Sequence, residues 1–153
     1  MSMSKFTKEQ MNELRVKSHG GVMPRYNGAW YLHRKLGKLS DFGGKREGNE
    51  TLMETALREF KEESGLTEDN ITHIHGVYIG RYNYGVIVVE VDKEPVAMEP
   101  GSTIVRMENY STADVSGRLF IKGLEYKMRD IEMAEVASDE DTTPDNHGFI
   151  FDD

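Results

Sequence analysis

A mixed α/β fold is predicted by three features of this 153-residue chain: a hairpin signal around Asn27-Gly28, one strongly capped amphipathic helix after Thr51, and a β-branched run from Val86 to Val91. The length suits one domain spanning residues 1–153, with a core that needs no metal or disulfide staple.

Taken in order, residues Lys5 to Lys17 carry Met11 and Leu14 among many charges and permit a short helix. Gly20 to Tyr26 and Ala29 to Arg34 read as strands, because Asn-Gly between them is the dipeptide best suited to a tight hairpin turn. Gly37 to Gly48 is rich in glycine and charge and reads as a loop. The strongest helical signal follows. Thr51 and Glu54 form a capping box, Leu52, Met53, Ala56, Leu57 and Phe60 make an apolar stripe, and Gly65 sits where a left-handed cap belongs, so a helix runs from about 52 to 64. Strands are expected at Ile74 to Ile79 and Val86 to Val91, the latter central, with a further strand at Thr103 to Met107. Residues 118 to 134 fit neither the helical nor the strand period. From Ser138 the tail is acidic and polar until Phe149-Ile150-Phe151, and it is expected to be at least partly mobile.

Composition excludes several classes. The chain has no cysteine, which rules out disulfides and thiolate metal sites, so any metal must be held by oxygen or imidazole. The five histidines show no HxxxH or HExxH spacing and read as turn, strand or surface residues, not a zinc site. A net charge of −8 disfavours a nucleic-acid partner held on a basic face. No apolar run approaches the roughly 18 residues of a membrane span, and MSMSKFTKEQMNELR is too polar for a signal peptide. A soluble, cytoplasmic protein is expected.

The chemistry lies in Gly44 to Leu66, GKREGNETLMETALREFKEESGL. On a helix, Glu59, Glu62 and Glu63 fall within about a 100° arc beside the apolar stripe. Like charges at i and i+4 repel, so helix stability does not ask for this grouping. A hard divalent cation would turn the repulsion into binding, since magnesium prefers oxygen ligands. Gly43 and Gly44 let backbone approach a ligand where a side chain would block it. Acid-rich helices with Glu54, Arg58 and Glu62 at ion-pair spacing are ordinarily solvated surface. The complete pattern points elsewhere. Gly44, Glu50, Arg58, Glu59, Phe60, Glu62, Glu63, Gly65 and Leu66 stand at fixed gaps that resemble the Nudix box at every defined position.

Resemblance to Nudix hydrolases implies an α/β/α sandwich around a mixed β-sheet. It also implies hydrolysis of a nucleoside diphosphate linked to another moiety, with Mg2+ or Mn2+. On the matching positions Glu59, Glu62 and Glu63 would be metal ligands, joined by the carbonyl of Gly43 or Gly44, and Arg58 would pair with Glu50 to fix the loop against the helix. Water would attack phosphorus in line and a carboxylate would take its proton. Glu62 is the candidate within the box, with Glu94, Glu99 and Glu108 as loop alternatives. Many members carry proline before the paired glycines. Here Asp41-Phe42 stands there instead, which bears on how the chain enters the loop and orients substrate.

Substrate signals are thinner. The chain lacks the signatures of NADH, coenzyme A and ADP-ribose pyrophosphatases, whereas Tyr82 and Tyr84 resemble the downstream tyrosine of diadenosine polyphosphate hydrolases. Arg25, Trp30, His33, Arg46 and Arg81 are further candidates for base stacking or phosphate contact. The acidic balance disfavours inositol pyrophosphates and RNA caps. The expected substrate is a small nucleotide-like molecule such as a diadenosine polyphosphate or ADP-ribose. The alternatives are a housecleaning nucleoside triphosphate pyrophosphohydrolase and a non-catalytic nucleotide-binding module. The resemblance is compatible with a homodimer.

Overall fold

Asn27 and Gly28 both take positive φ, 51° and 79°. That is what a type I′ turn requires. In the computed structural model, which describes residues 3–4, 18–80, 84–108, 124–140 and 149–150, this turn joins β2 (His19–Tyr26) to β3 (Ala29–Lys35). Ahead of them lies β1 (Met3–Ser4). The helix expected over Lys5 to Lys17 lies outside the described residues, as do Arg81 and Tyr82.

The stretch expected as a loop, Gly37 to Gly48, is largely strand. β4 (Lys38–Ser40) folds back on β3, and β5 (Phe42–Lys45) runs antiparallel to β2. The cause is tertiary. Gly20 and Gly21 stand opposite Gly44 and Gly43, so two backbones without Cβ atoms pass closely. A methyl at Gly21 would lie 2.7 Å from the Phe42 carbonyl oxygen and 2.9 Å from the Gly43 Cα, a contact no side chain tolerates.

Helix α1 (Leu52–Ser64) starts and stops where the capping residues dictate. Thr51 Oγ1 accepts from the Glu54 N–H, the Thr51 N–H donates to Glu54, and Gly65 at φ 76° donates its N–H to the Lys61 carbonyl. A short 3₁₀ turn (Glu68–Asn70) leads into β6 (Ile71–Ile79), followed by β7 (Tyr84–Val91) and β8 (Ser102–Met107). Helix α2 (Leu124–Glu140) resolves the ambiguous stretch in favour of helix over its described part, and extends through the start of the segment expected as tail. β9 (Phe149–Ile150) pairs with β1.

The main sheet runs β4-β3-β2-β7-β6, with β5 added to β2 and β8 to β3. β7 is parallel to β2 and antiparallel to β6, so it is central as expected. Its VIVVEV sequence buries both faces. Val86 and Val88 join Met23, Trp30, Leu32, Leu124, Met128 and Ile131 in one cluster, while Ile87, Val89 and Val91 join Val22, Phe42, Leu52, Ala56 and Phe60 in the other. The first cluster is covered by α2 and the second by α1, which makes the α/β/α sandwich. Each fully buried large apolar side chain contributes roughly 1.5–3 kcal/mol relative to exposure. Among the described residues no helix is long and apolar enough to cross a membrane.

Candidate functional site

The loop before α1 is held by one guanidinium. Arg58 donates from Nε to Glu50 Oε2 at 2.7 Å and from Nη2 to Glu50 Oε1 at 3.0 Å, a fork-to-carboxylate pair. Its Nη2 also reaches the Lys45 carbonyl at 2.9 Å. Glu50 accepts further from the Glu47 N–H and from Thr55 Oγ1. The hydrogen bonds from Arg58 hold the Glu50 carboxyl down at about 2. The pairing that the box resemblance implies is therefore present as geometry, and it anchors residues 45–50 to the helix.

The three acids of the helix face occupy different environments. Glu59 lies against Gly44, where an added methyl would come within 2.5 Å of the carboxyl group, so glycine is what lets this acid meet the backbone. Its carboxylate also accepts from Arg58 Nη1 at 3.0 Å. Glu62 is half exposed, with Arg58 Nη1 at 3.4 Å. Glu63 is only 6% exposed, and its Oε1 has no hydrogen-bond partner among the described residues.

A fourth acid arrives from elsewhere in the chain. The loop after β7 is tied to the end of α1 by two main-chain bonds, Val96 N–H to the Ser64 carbonyl at 3.1 Å and Met98 N–H to the Glu63 carbonyl at 3.2 Å. They satisfy carbonyls that a helix terminus leaves open, and they bring Glu99 to Glu63. His33 on β3 completes the group: ligand atoms of His33, Glu63 and Glu99 all lie within 4.8 Å of one another. His33 Nδ1 is 3.8 Å from Glu63 Oε1, and Lys35 Nζ reaches Glu99 at 3.1 Å. Burial, reinforced by Glu59, Glu99 and Asp41, pushes the Glu63 carboxyl up to about 8. Burial likewise raises Glu59 and keeps the His33 imidazole below its ordinary value. Oxygen donors with one imidazole, an orphaned buried carboxylate oxygen and a glycine cradle beside a second carboxylate fit a divalent cation.

Beneath this group lies Asp41, a residue that the sequence marks only as a replacement for proline. It is 3% exposed, accepts from Ser40 Oγ at 2.6 Å and from the Tyr84 hydroxyl at 3.1 Å and 3.2 Å, and packs against Gly21 and Gly43. Burial pushes it up to about 6, against those hydrogen bonds.

Several candidate substrate contacts are engaged by partners within the protein. Trp30 is fully buried under α2 and donates Nε1–H to Glu132 at 2.6 Å. Arg25 is buried over the Trp30 ring, bonded to Glu135 and 3.5 Å from Glu90. Tyr84 is buried, stacked on His19 and bonded to Asp41, so its ring is not open to a base. Their polar tips serve packing. Arg46 caps its own loop through the Gly48 carbonyl. Of the loop acids, Glu94 accepts from Tyr31 and Glu108 pairs with Arg106, whereas Glu99 is at the site. The histidine spacing carries no sign of His33, because its partners come from the end of α1 and from the loop after β7 and leave no local signature.

No family model and no curated protein matches the chain. Solved structures do. A Nudix hydrolase from M. smegmatis, RenU, superposes with a TM-score of 0.62 at 13% identity over 84% of this chain and 93% of that one. A C. elegans Ap4A hydrolase gives 0.60 at 13% over 78% and 98%, and the Bacillus subtilis pyrophosphohydrolase BsRppH gives 0.53 at 16% over 90% of each. With a mixed sheet between two helices and an acid-bearing helix following a glycine turn, the chain has the Nudix hydrolase fold.

Proposed function

We propose that the protein is a pyrophosphohydrolase of the Nudix type, acting on a small nucleotide-like molecule with Mg2+ or Mn2+. The observation that carries this reading is Glu63: a carboxylate buried among other carboxylates, with one oxygen unpartnered among the described residues. Leaving such a group without a counter-charge is costly, and a divalent cation removes the cost.

Glu59, Glu62 and Glu63 would hold the cation, with the Gly43 or Gly44 carbonyl as a main-chain ligand. When bound, such an ion supplies positive charge to the diphosphate oxygens and acidifies water for attack on phosphorus. Glu50 and Arg58 act on geometry, fixing the loop so that Gly44 meets Glu59. Glu62, half exposed, would accept a proton from water. Since C. elegans Ap4A hydrolase shares the fold, a diadenosine polyphosphate is the first substrate to try, with ADP-ribose next.

The test is product analysis by mass after incubating the chain with magnesium or manganese and a nucleotide panel. AMP with a nucleoside polyphosphate, or AMP with ribose phosphate, is the expected outcome. Nucleoside monophosphate with pyrophosphate would indicate a triphosphate pyrophosphohydrolase, and no turnover of any compound would indicate a binding module. Glu62→Gln is expected to keep the fold and lose most activity; near wild-type turnover would remove Glu62 from the chemistry.

A further inference from the structure

We propose that His33 is a nitrogen ligand to a cation held by Glu63 and Glu99, so that the site prefers a first-row transition ion to magnesium. The inference rests on the reading that this site binds a divalent metal, and concerns which metal it takes.

Two independent observations support it. The first is composition: the three ligand atoms that lie within 4.8 Å of one another come from one imidazole and two carboxylates. Magnesium is a hard ion that favours oxygen, whereas imidazole suits the borderline transition metals, whose affinities rise along the first row. The second is satisfaction. His33 and Glu63 are 4% and 6% exposed, and His33 Nε2 and Glu63 Oε1 are buried without a hydrogen-bond partner among the described residues. Buried polar atoms are nearly always paired, so the orphaned Glu63 Oε1, the atom that faces His33 Nδ1, calls for an explanation. The 3.8 Å between His33 Nδ1 and Glu63 Oε1 is too long for a hydrogen bond and suits two ligands on one ion after a small adjustment. The fold holds the imidazole in place: Phe42 packs on its ring at 5.2 Å, and β3 is fixed along His33 by β4 on one side and β8 on the other.

The experiment strips the full chain of metal, titrates it calorimetrically with Co2+ and separately with Mg2+, and records pulsed electron paramagnetic resonance of the Mn2+ complex. Expected are tighter binding of Co2+ than of Mg2+ and a nitrogen modulation from a directly bound imidazole. His33→Leu, checked by thermal melting, should abolish the modulation and weaken Co2+ by about tenfold or more, while Mg2+ changes less than about twofold. Glu99→Gln, on a partly exposed loop, should weaken both metals and keep the nitrogen signal; it serves if His33→Leu fails to fold. Absence of nitrogen modulation in the wild-type complex overturns the proposal. So does a folded His33→Leu chain that binds Co2+ as before and loses only nucleotide affinity. A nitrogen signal in a protein that hydrolyses nothing would support the ligand assignment and sink the pyrophosphohydrolase reading, and hydrolysis without the signal would do the opposite.

Discussion

The two faces of the sheet treat buried charge in opposite ways. Under α2, Arg25 meets Glu135 and Glu90, and the Trp30 N–H meets Glu132, so charge and dipole are matched within the protein. Under α1, Glu59, Glu63, Glu99 and Asp41 converge; Arg58 reaches Glu59 and Lys35 reaches Glu99, but Glu63 keeps an oxygen with no hydrogen-bond partner among the described residues. A matched buried charge holds two elements together. An unmatched one raises the energy of the folded chain until something outside it supplies the missing sign.

The largest test of this contrast is Glu63→Gln. Activity should fall at least about a hundredfold if this carboxylate serves the cation. Stability without metal should move the other way. A folded-state carboxyl raised to about 8 from an ordinary 4.5 keeps its proton after the unfolded chain has lost it, so stability falls as pH rises between those values. In chelator at pH 8 the variant should therefore melt above wild type, with the gap closing toward pH 5; equal melting curves across that range would break the contrast.

Glu50→Gln probes the opposite sign. Glu50 is held down at about 2, so its contribution is full above about 4.5 and is lost as pH falls toward 2. The variant should lose about 2–3 kcal/mol at neutral pH, seen by denaturant unfolding, and meet wild type near pH 2. On the matched face, Arg25→Met should cost about 2 kcal/mol, a melting temperature lower by roughly 4–8 °C, with or without metal. A loss confined to the metal-bound protein would tie the two faces together and contradict their independence.

How much of this was readable beforehand divides along the same line. The hairpin turn, the capping box and the Gly65 stop are local, encoded within a few residues, and the structure reproduces them. The acidic helix face was local too. β4 and β5 were not, because glycine-rich sequence acquires strand character here only by meeting Gly20 and Gly21. His33, Asp41 and Glu99 carry no neighbouring signal of their roles and are brought together by strand pairing and by the main-chain bonds that tie the loop after β7 to α1. The partners of Trp30, Arg25 and Tyr84 are not legible for a related reason: a polar tip on a large side chain can serve a buried partner or a ligand, and the partners it meets here come from the docking of α2 and the burial of Asp41.

The hydrogen bonds that tie α1 to the segment carrying Glu99 are made by main-chain atoms, and the Val96 side chain beside them stays largely in solvent. Most residues could therefore replace Val96 without moving the acid, and proline, which has no N–H to donate, is the substitution that would release it. A stretch whose chemistry can drift while its course stays fixed offers natural selection a rim to vary around a constant centre.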